Sequence, residues 1–170
     1  MVLRVKGLTL IELLVTLAVA AILITVGAPA MTSILEHFRA QEAVSQWRGD
    51  LVYARQVAAA YQTSVTVCPM GSTASCHGDW TGGYITFIDV NSNGTLDAED
   101  ESLHRRDAIN DQDHINSTAP PQIRFTEDGF SEDSGTLIYC PSQTDSALSL
   151  GLSVSSTGQT RQLENALTCD

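Results

Sequence analysis

The chain has 170 residues and a formal net charge of -11 at pH 7. So acidic a chain repels phosphate backbones unless its few arginines cluster, which argues against a general nucleic-acid-binding protein. The length allows one small globular domain beside an N-terminal helical arm, and we place that arm at residues 8–60.

The N-terminus joins a short basic segment to a long apolar one. Arg4 and Lys6 lie within residues 1–7, and the segment from Leu13 to Leu35 contains no charged residue. As a helix that segment is about 35 Å long, which is enough to cross a bilayer. Basic residues before an apolar span stay in the cytoplasm. A secretory signal peptide is the alternative, but its apolar region is about 7–15 residues long.

Glu12 lies four residues into the apolar segment that begins at Leu8. An unpaired carboxylate costs about 2.5 to 3.5 kcal/mol near the centre of a bilayer, and less near its edge. A cut after Gly7 would create an α-amino group at Leu8, which could meet Glu12 of a neighbouring subunit and neutralise it. The alternative is an interfacial glutamate that is tolerated near the end of a membrane helix.

Beyond the uncharged segment, apolar residues recur on one side of a helical pattern while charged residues lie elsewhere. We predict that this face packs on the globular domain. Its residues are Ile34, Phe38, Val44, Trp47, Leu51, Ala54 and Ala58.

From Tyr61 onward, short runs of strand-forming residues alternate with clusters of Gly, Asn, Asp and Pro, which indicates β-structure. The acidic stretches 97–113 and 127–134 predict exposed loops. The fold class is therefore α+β, with a basic leader at 1–7, a helix at 8–60 whose part 8–35 is embedded in the membrane, and a β-rich domain at 61–170. The predicted strands are 64–68, 84–90, 122–126, 135–140 and 148–156.

The hexapeptide G-L-T-L-I-E, from Gly7 to Glu12, precedes this long apolar helix. It resembles the class III signal of type IV pilins and type II secretion pseudopilins. The segment from Cys68 to Asp97, the later I-R-F-T-E-D-G-F and a final cysteine near the C-terminus resemble the FimT/GspH-like branch of minor pilins. The resemblance spans nearly the whole chain.

The resemblance implies a pilin fold, cleavage between Gly7 and Leu8 by a prepilin peptidase, N-methylation of Leu8, and use of Glu12 to set subunit register. Leu8 stands where phenylalanine is commoner in the family. The implied function is to help initiate or cap a type IV pilus or a type II secretion pseudopilus. The implied partners are other major and minor pilins or pseudopilins. The implied location is the inner membrane, with one span and the C-terminal domain in the periplasm.

Four cysteines in a chain that is directed to a membrane favour disulfides, and four cysteines allow three pairings. We prefer Cys68 with Cys76 and Cys140 with Cys169, which is also what the resemblance implies. A zinc site that uses Cys68, Cys76 and His77 fits no common ligand spacing.

The segment Asp89–Asp100 matches a calcium-binding loop of the EF-hand type, with Gly94 at the turn. Its last position is aspartate instead of the longer glutamate. The alternative is a polar hairpin turned by Asn93 and Gly94. No cofactor is required in either case. The candidate calcium ligands are Asp89, Asn91, Asn93, Asp97 and Asp100.

The sequence leaves two other functions open. Some FimT-like pilins take up DNA, and the resemblance places their basic Gly-Arg-x-Arg motif at residues 158–161, where Gly158 and Arg161 alone match it. One arginine gives little counterion release, so DNA contacts would be weak. A type II secretion pseudopilin that contacts secreted proteins is the other alternative. Scattered histidines and the lack of a G-x-S-x-G motif indicate a protein that is not an enzyme.

Overall fold

A computed structural model describes residues 9–71, 76, 79–116, 118–164 and 167–170; the side chains of residues 26–30 are not described. The chain divides into two compact units, residues 1–35 and residues 36–170. Helix α1 spans Leu10–Tyr61 and runs through the boundary between them.

The first unit contains the N-terminal part of α1. All of its described side chains are exposed, and they include large apolar ones such as Leu10, Ile22 and Ile24, each more than 60% exposed. This part of the helix therefore has no core of its own. Within the described residues, no helix combines the length and the apolar character needed to cross a membrane.

In its described residues, the second unit contains the C-terminal part of α1 and eight strands in two antiparallel sheets. The first sheet has the strand order β3-β2-β1-β5 and the second has the order β4-β6-β7-β8. The α+β class, with a helix and antiparallel strands, is confirmed. The strands are β1 Val65–Pro69, β2 Tyr84–Ile88, β3 Glu101–Arg106, β4 His114–Ile115, β5 Ile123–Phe125, β6 Gly135–Cys140, β7 Leu150–Val154 and β8 Thr160–Glu164.

One face of α1 packs on the strands and forms the core of the second unit. The buried helix residues follow each other at spacings of three and four, as expected for a single helical face. Trp47 contacts Tyr139 of β6 edge to face, with ring centroids 6.2 Å apart. The apolar residues with these spacings are Ala40, Val44, Trp47, Leu51, Ala54 and Ala58, and Asp50 and Val57 beside them are also buried.

Two sequence expectations about this unit were wrong. Phe38 is 61% exposed, and the buried face of this unit begins at Ala40; Ile34, which belongs to the first unit, is 49% exposed there. The stretch 97–113 is not all loop, since it contains β3 and ends at Asp113, which is buried. Strand β3 lies at the edge of its sheet, where polar side chains are normal, so its sequence lacks the usual apolar signal.

Candidate functional site

Glu12 lies in the first turn of α1, where it pairs with Thr9. The Glu12 backbone N–H donates to the Thr9 hydroxyl at 3.4 Å, and the Thr9 backbone N–H donates to Glu12 Oε2 at 3.4 Å. This reciprocal pair is a capping box, which supplies acceptors to N–H groups that have no partner within the helix. Gly7 and Leu8 lie outside the described residues, so cleavage and methylation stay predictions.

The four cysteines form two disulfides in the structure. Cys68 is joined to Cys76 with their Cα atoms 5.3 Å apart, and Cys140 is joined to Cys169 with their Cα atoms 6.2 Å apart. Both distances lie in the ordinary range for a disulfide. The first bond closes the loop after β1, and the second ties the C-terminal end of the chain to the end of β6.

Asp89 begins the loop between β2 and β3, and its side chain is fully buried. Its two oxygens accept hydrogen bonds from the Thr66 hydroxyl at 3.0 Å and from the backbone N–H groups of Asn93 and Gly94 at 2.9 Å each. The nearest arginine nitrogen, Nε of Arg124, lies 4.0 Å from Asp89 Oδ2. Asp89 therefore holds the turn together, since a buried carboxylate requires such partners.

The rest of this loop is also closed by its own hydrogen bonds. Asp97 accepts the side-chain amides of Asn91 and Asn93 at 2.9 and 3.0 Å. Asp100 accepts the backbone N–H groups of Val90 and Asp97 at 3.0 and 2.9 Å. Among the residues that the structure describes, no group of three or more His, Cys, Asp and Glu side chains is placed to hold a metal ion.

Asp113, a residue that our sequence analysis missed, fixes α1 to the second sheet. The Arg39 guanidinium of α1 donates to both of its oxygens, with Nε 2.8 Å from Oδ2 and Nη2 3.0 Å from Oδ1. The Tyr139 hydroxyl and the Ser142 backbone N–H also donate to it. Burial alone would raise the pKa of Asp113, but these hydrogen bonds outweigh burial and hold the pKa below its ordinary value.

Asp50, the second such carboxylate, fixes α1 to the first sheet. Arg106 of β3 donates to it from two nitrogens at 2.7 and 2.9 Å, and the Tyr84 hydroxyl of β2 donates at 2.9 Å. Burial acts to raise the pKa of Asp50, and the hydrogen bonds from Arg106 and Tyr84 outweigh it and lower the pKa. His104 Nδ1 lies 3.4 Å from the same carboxylate.

The structure places the predicted DNA contact Arg161 on the exposed edge strand β8, opposite Ser153 of β7. Gly158 lies in the turn before β8 with a φ of +71°. Arg105, another exposed arginine, lies on β3 in the other sheet. The structure therefore does not bring Arg161 and Arg105 together on one strand or one sheet.

Residues 3–28 match the prokaryotic N-terminal methylation motif, and residues 43–158 match the family described as type II transport protein GspH. No curated protein matches the chain.

Among solved structures, the type IV minor pilin FimU of Pseudomonas aeruginosa is similar, with a TM-score of 0.60 and 19% identity. That match covers 81% of this chain and 99% of FimU. The minor pseudopilin EpsH of the Vibrio cholerae type 2 secretion system has a TM-score of 0.52 and 11% identity, over 74% of this chain and 97% of EpsH. These likenesses show the pilin fold. Because the GspH match spans more than half of the chain, the protein belongs to the GspH family of type II transport proteins.

Proposed function

We propose that the protein is a structural subunit that helps to initiate or cap a type IV pilus or a type II secretion pseudopilus. The observation that carries this proposal is the first unit, in which the described apolar side chains of α1 are exposed and Glu12 stands at the start of the helix. Such a surface needs an apolar environment, which a bilayer or a bundle of like helices supplies. The methylation motif at residues 3–28 supports the same use.

In the proposed mechanism, cleavage after Gly7 leaves residues 8–35 as the membrane anchor, with the second unit in the periplasm. The subunit then moves from the bilayer into the filament, where Glu12 meets the α-amino group at Leu8 of a neighbour. A carboxylate in an apolar environment is stabilised by such a partner and is costly without one. Cleavage would also remove Arg4 and Lys6, which changes the formal charge from -11 to -13.

The test replaces Glu12 by glutamine and by alanine in the full-length chain and measures incorporation into filaments. We expect incorporation of both variants into filaments to fall about tenfold or more, because both remove the charge that the neighbour's amino group recognises. Glu12→Gln keeps an oxygen that can accept from the Thr9 backbone N–H. It therefore separates recognition of the charge by the neighbour's amino group from capping of the helix by Glu12.

Thr9→Ala is the matched control, because it removes the capping hydroxyl and leaves the Glu12 charge. We expect its incorporation to stay close to that of the unaltered chain. If Glu12→Gln assembled normally while Thr9→Ala failed, Glu12 would serve only to cap the helix and the proposed role in assembly would be wrong.

DNA binding by Arg161 is the alternative function, and no contact among the residues that the structure describes favours it over filament assembly. A gel shift with the full-length protein at physiological salt would detect it, and Arg161→Ala would abolish the shift.

Calcium binding by Asp89–Asp100 also stays a prediction, supported by the EF-hand-type spacing of the five candidate ligands along one loop. Calcium would have to replace the hydrogen bonds that Asn91 and Asn93 donate to Asp97. If it binds, a hundredfold excess over Kd stabilises the folded state by about 2.7 kcal/mol, which a rise in Tm of the full-length protein reports.

The matched variants for this test are Asp97→Asn, inside the loop, and Asp111→Asn, an exposed aspartate outside it. The first should abolish the calcium-dependent rise and the second should keep it. A Tm that calcium does not change would remove the metal from the proposed function and leave the loop as a hydrogen-bonded hairpin.

A further inference from the structure

A depression of about 400 Å³ lies between α1 and the turn before β8, within the second unit. One charged side chain, that of Arg55, lines it, together with neutral hydrogen-bonding groups and an apolar wall. We call this depression the Arg55 pocket. The side chains that line it include Val52, Arg55, Gln56, Ala59, Gln159 and Thr160.

Two tight turns hold the Arg55 side chain in place. Arg55 Nε donates to the carbonyl oxygen of Gly129 at 2.9 Å. Gly129 and Gly158 have φ values of +73° and +71°, a conformation that favours glycine. A Cβ at Gly158 would lie 2.6 Å from the Gly129 oxygen and 3.2 Å from Arg55 Nε. The arginine is therefore oriented before any ligand arrives, which reduces the entropy that binding would lose.

Among the described residues of the second unit, Arg55 differs from the other half-buried arginines in having no acidic partner. Arg39, Arg106 and Arg124 each lie within 4.0 Å of a carboxylate oxygen. No carboxylate of the described part of the chain lies that close to Arg55. A guanidinium has five N–H donors, and the structure gives a protein acceptor to the one at Nε, which leaves the terminal nitrogens for a ligand.

We propose that the Arg55 pocket receives the carboxylate of an aspartate or glutamate side chain from a neighbouring filament subunit. This rests on the proposed function, because it requires a neighbour. A guanidinium matches a carboxylate in two parallel hydrogen bonds, and the Gln159 amide and the Thr160 hydroxyl offer further donors.

A single carboxylate fits this pocket better than a nucleic-acid phosphate does. One arginine neutralises one charge, but a polyphosphate brings many charges to a chain with a net charge of -11. Glu127 and Asp128 precede Gly129 in one of the two turns and would repel a strand of phosphates more than a single side chain.

The test places the photo-crosslinking residue p-benzoylphenylalanine at Gln56 of the full-length chain, in cells that assemble the filament. Gln159→Glu, in the same chain, puts a carboxylate of nearly the same shape inside the pocket. We expect it to compete with the incoming carboxylate and to lower the crosslink yield about tenfold. Gln162→Glu is the matched control, because Gln162 lies on β8 outside the pocket and the same charge is added, so its yield should not change.

Mass spectrometry of the crosslinked peptide identifies the acidic residue of the neighbour. Changing that residue to arginine should lower the yield about tenfold, and Arg55→Glu should restore it. Gly158→Ala, which closes the turn on Arg55, should lower the yield without any change of charge. The proposal is wrong if no crosslink forms or if the crosslink is to nucleic acid. It is also wrong if Gln159→Glu leaves the yield unchanged or if Arg55→Glu does not restore it.

The same crosslinking in a Glu12→Ala background separates this proposal from the proposed function. Loss of the crosslink together with loss of the filament is expected if the contact forms during assembly. If assembly continues in Glu12→Ala and the crosslink persists with its charge dependence, the role of Glu12 is wrong and the carboxylate pocket stands.

Discussion

Asp113→Ala should lower the free energy of unfolding of the second unit by about 3 to 5 kcal/mol. The side chain of Asp113 is fully buried, and it accepts from the Arg39 guanidinium, the Tyr139 hydroxyl and the Ser142 backbone N–H. Its loss would leave a partly buried cation, the buried Tyr139 hydroxyl and the half-buried Ser142 N–H without this acceptor, and such groups cost more than the original hydrogen bonds contributed.

Urea unfolding of the full-length protein, followed by circular dichroism and by tryptophan fluorescence, measures this change. Trp47 and Trp80 both lie in the core of the second unit, so fluorescence reports that unit. Asp111→Ala is the matched control, since Asp111 is exposed two residues earlier, and its change should be within about 0.5 kcal/mol. A loss below about 1 kcal/mol for Asp113→Ala would show that this carboxylate does not hold the helix to the sheet.

The pH dependence of stability should follow the same carboxylate. Because the pKa of Asp113 in the folded protein lies below its value of about 3.9 in the unfolded chain, its contribution is fully present above that value. The contribution is lost as the pH falls through the lower, folded pKa. Asp113→Asn should therefore flatten the fall in stability below about pH 4, while a slope like that of the unaltered chain would contradict this assignment.

The parts of the fold that the sequence predicted carry local signals. The apolar strands β1, β2 and β6 combine strand-forming residues with turns on either side, and periods of apolar residues mark α1. β3 and β8, with the sequences ESLHRR and TRQLE, are edge strands, and their polar residues are indistinguishable from those of a loop. Pairing with a neighbouring strand makes them strands, and a single sequence does not contain that information.

The two buried carboxylates differ in how far they could have been predicted. Asp50 lies three residues after Trp47 and four before Ala54, on the buried face of α1. Its position in the helical pattern therefore indicates a buried acid that needs a partner. Asp113 follows a polar segment and precedes a strand of two residues, and nothing local distinguishes it from the exposed acids nearby. Its burial depends on Arg39, which is 74 residues away in the chain.

Removal of the Cys140–Cys169 disulfide should lower the free energy of unfolding by about 3 to 4 kcal/mol, and removal of Cys68–Cys76 by about 2 to 3 kcal/mol. The two bonds close loops with sequence separations of 29 and 8 residues. The longer loop loses more freedom in the unfolded chain when it is closed, so its bond stabilises the folded state more.

The structure adds a second reason for the larger effect at Cys140–Cys169. Both of these sulfurs are buried, and the backbone N–H of Cys169 donates to the Thr144 carbonyl at 2.8 Å, so the end of the chain is packed and not merely tethered. Double alanine variants of each pair, unfolded in urea, give the two losses separately, and reduction of the unaltered protein should reproduce their sum when the pairs are independent. Equal losses for the two pairs would show that loop closure does not set the contribution of these bonds. The packing of the chain end against β6 would then add nothing measurable to the free energy of unfolding that the Cys140–Cys169 bond contributes.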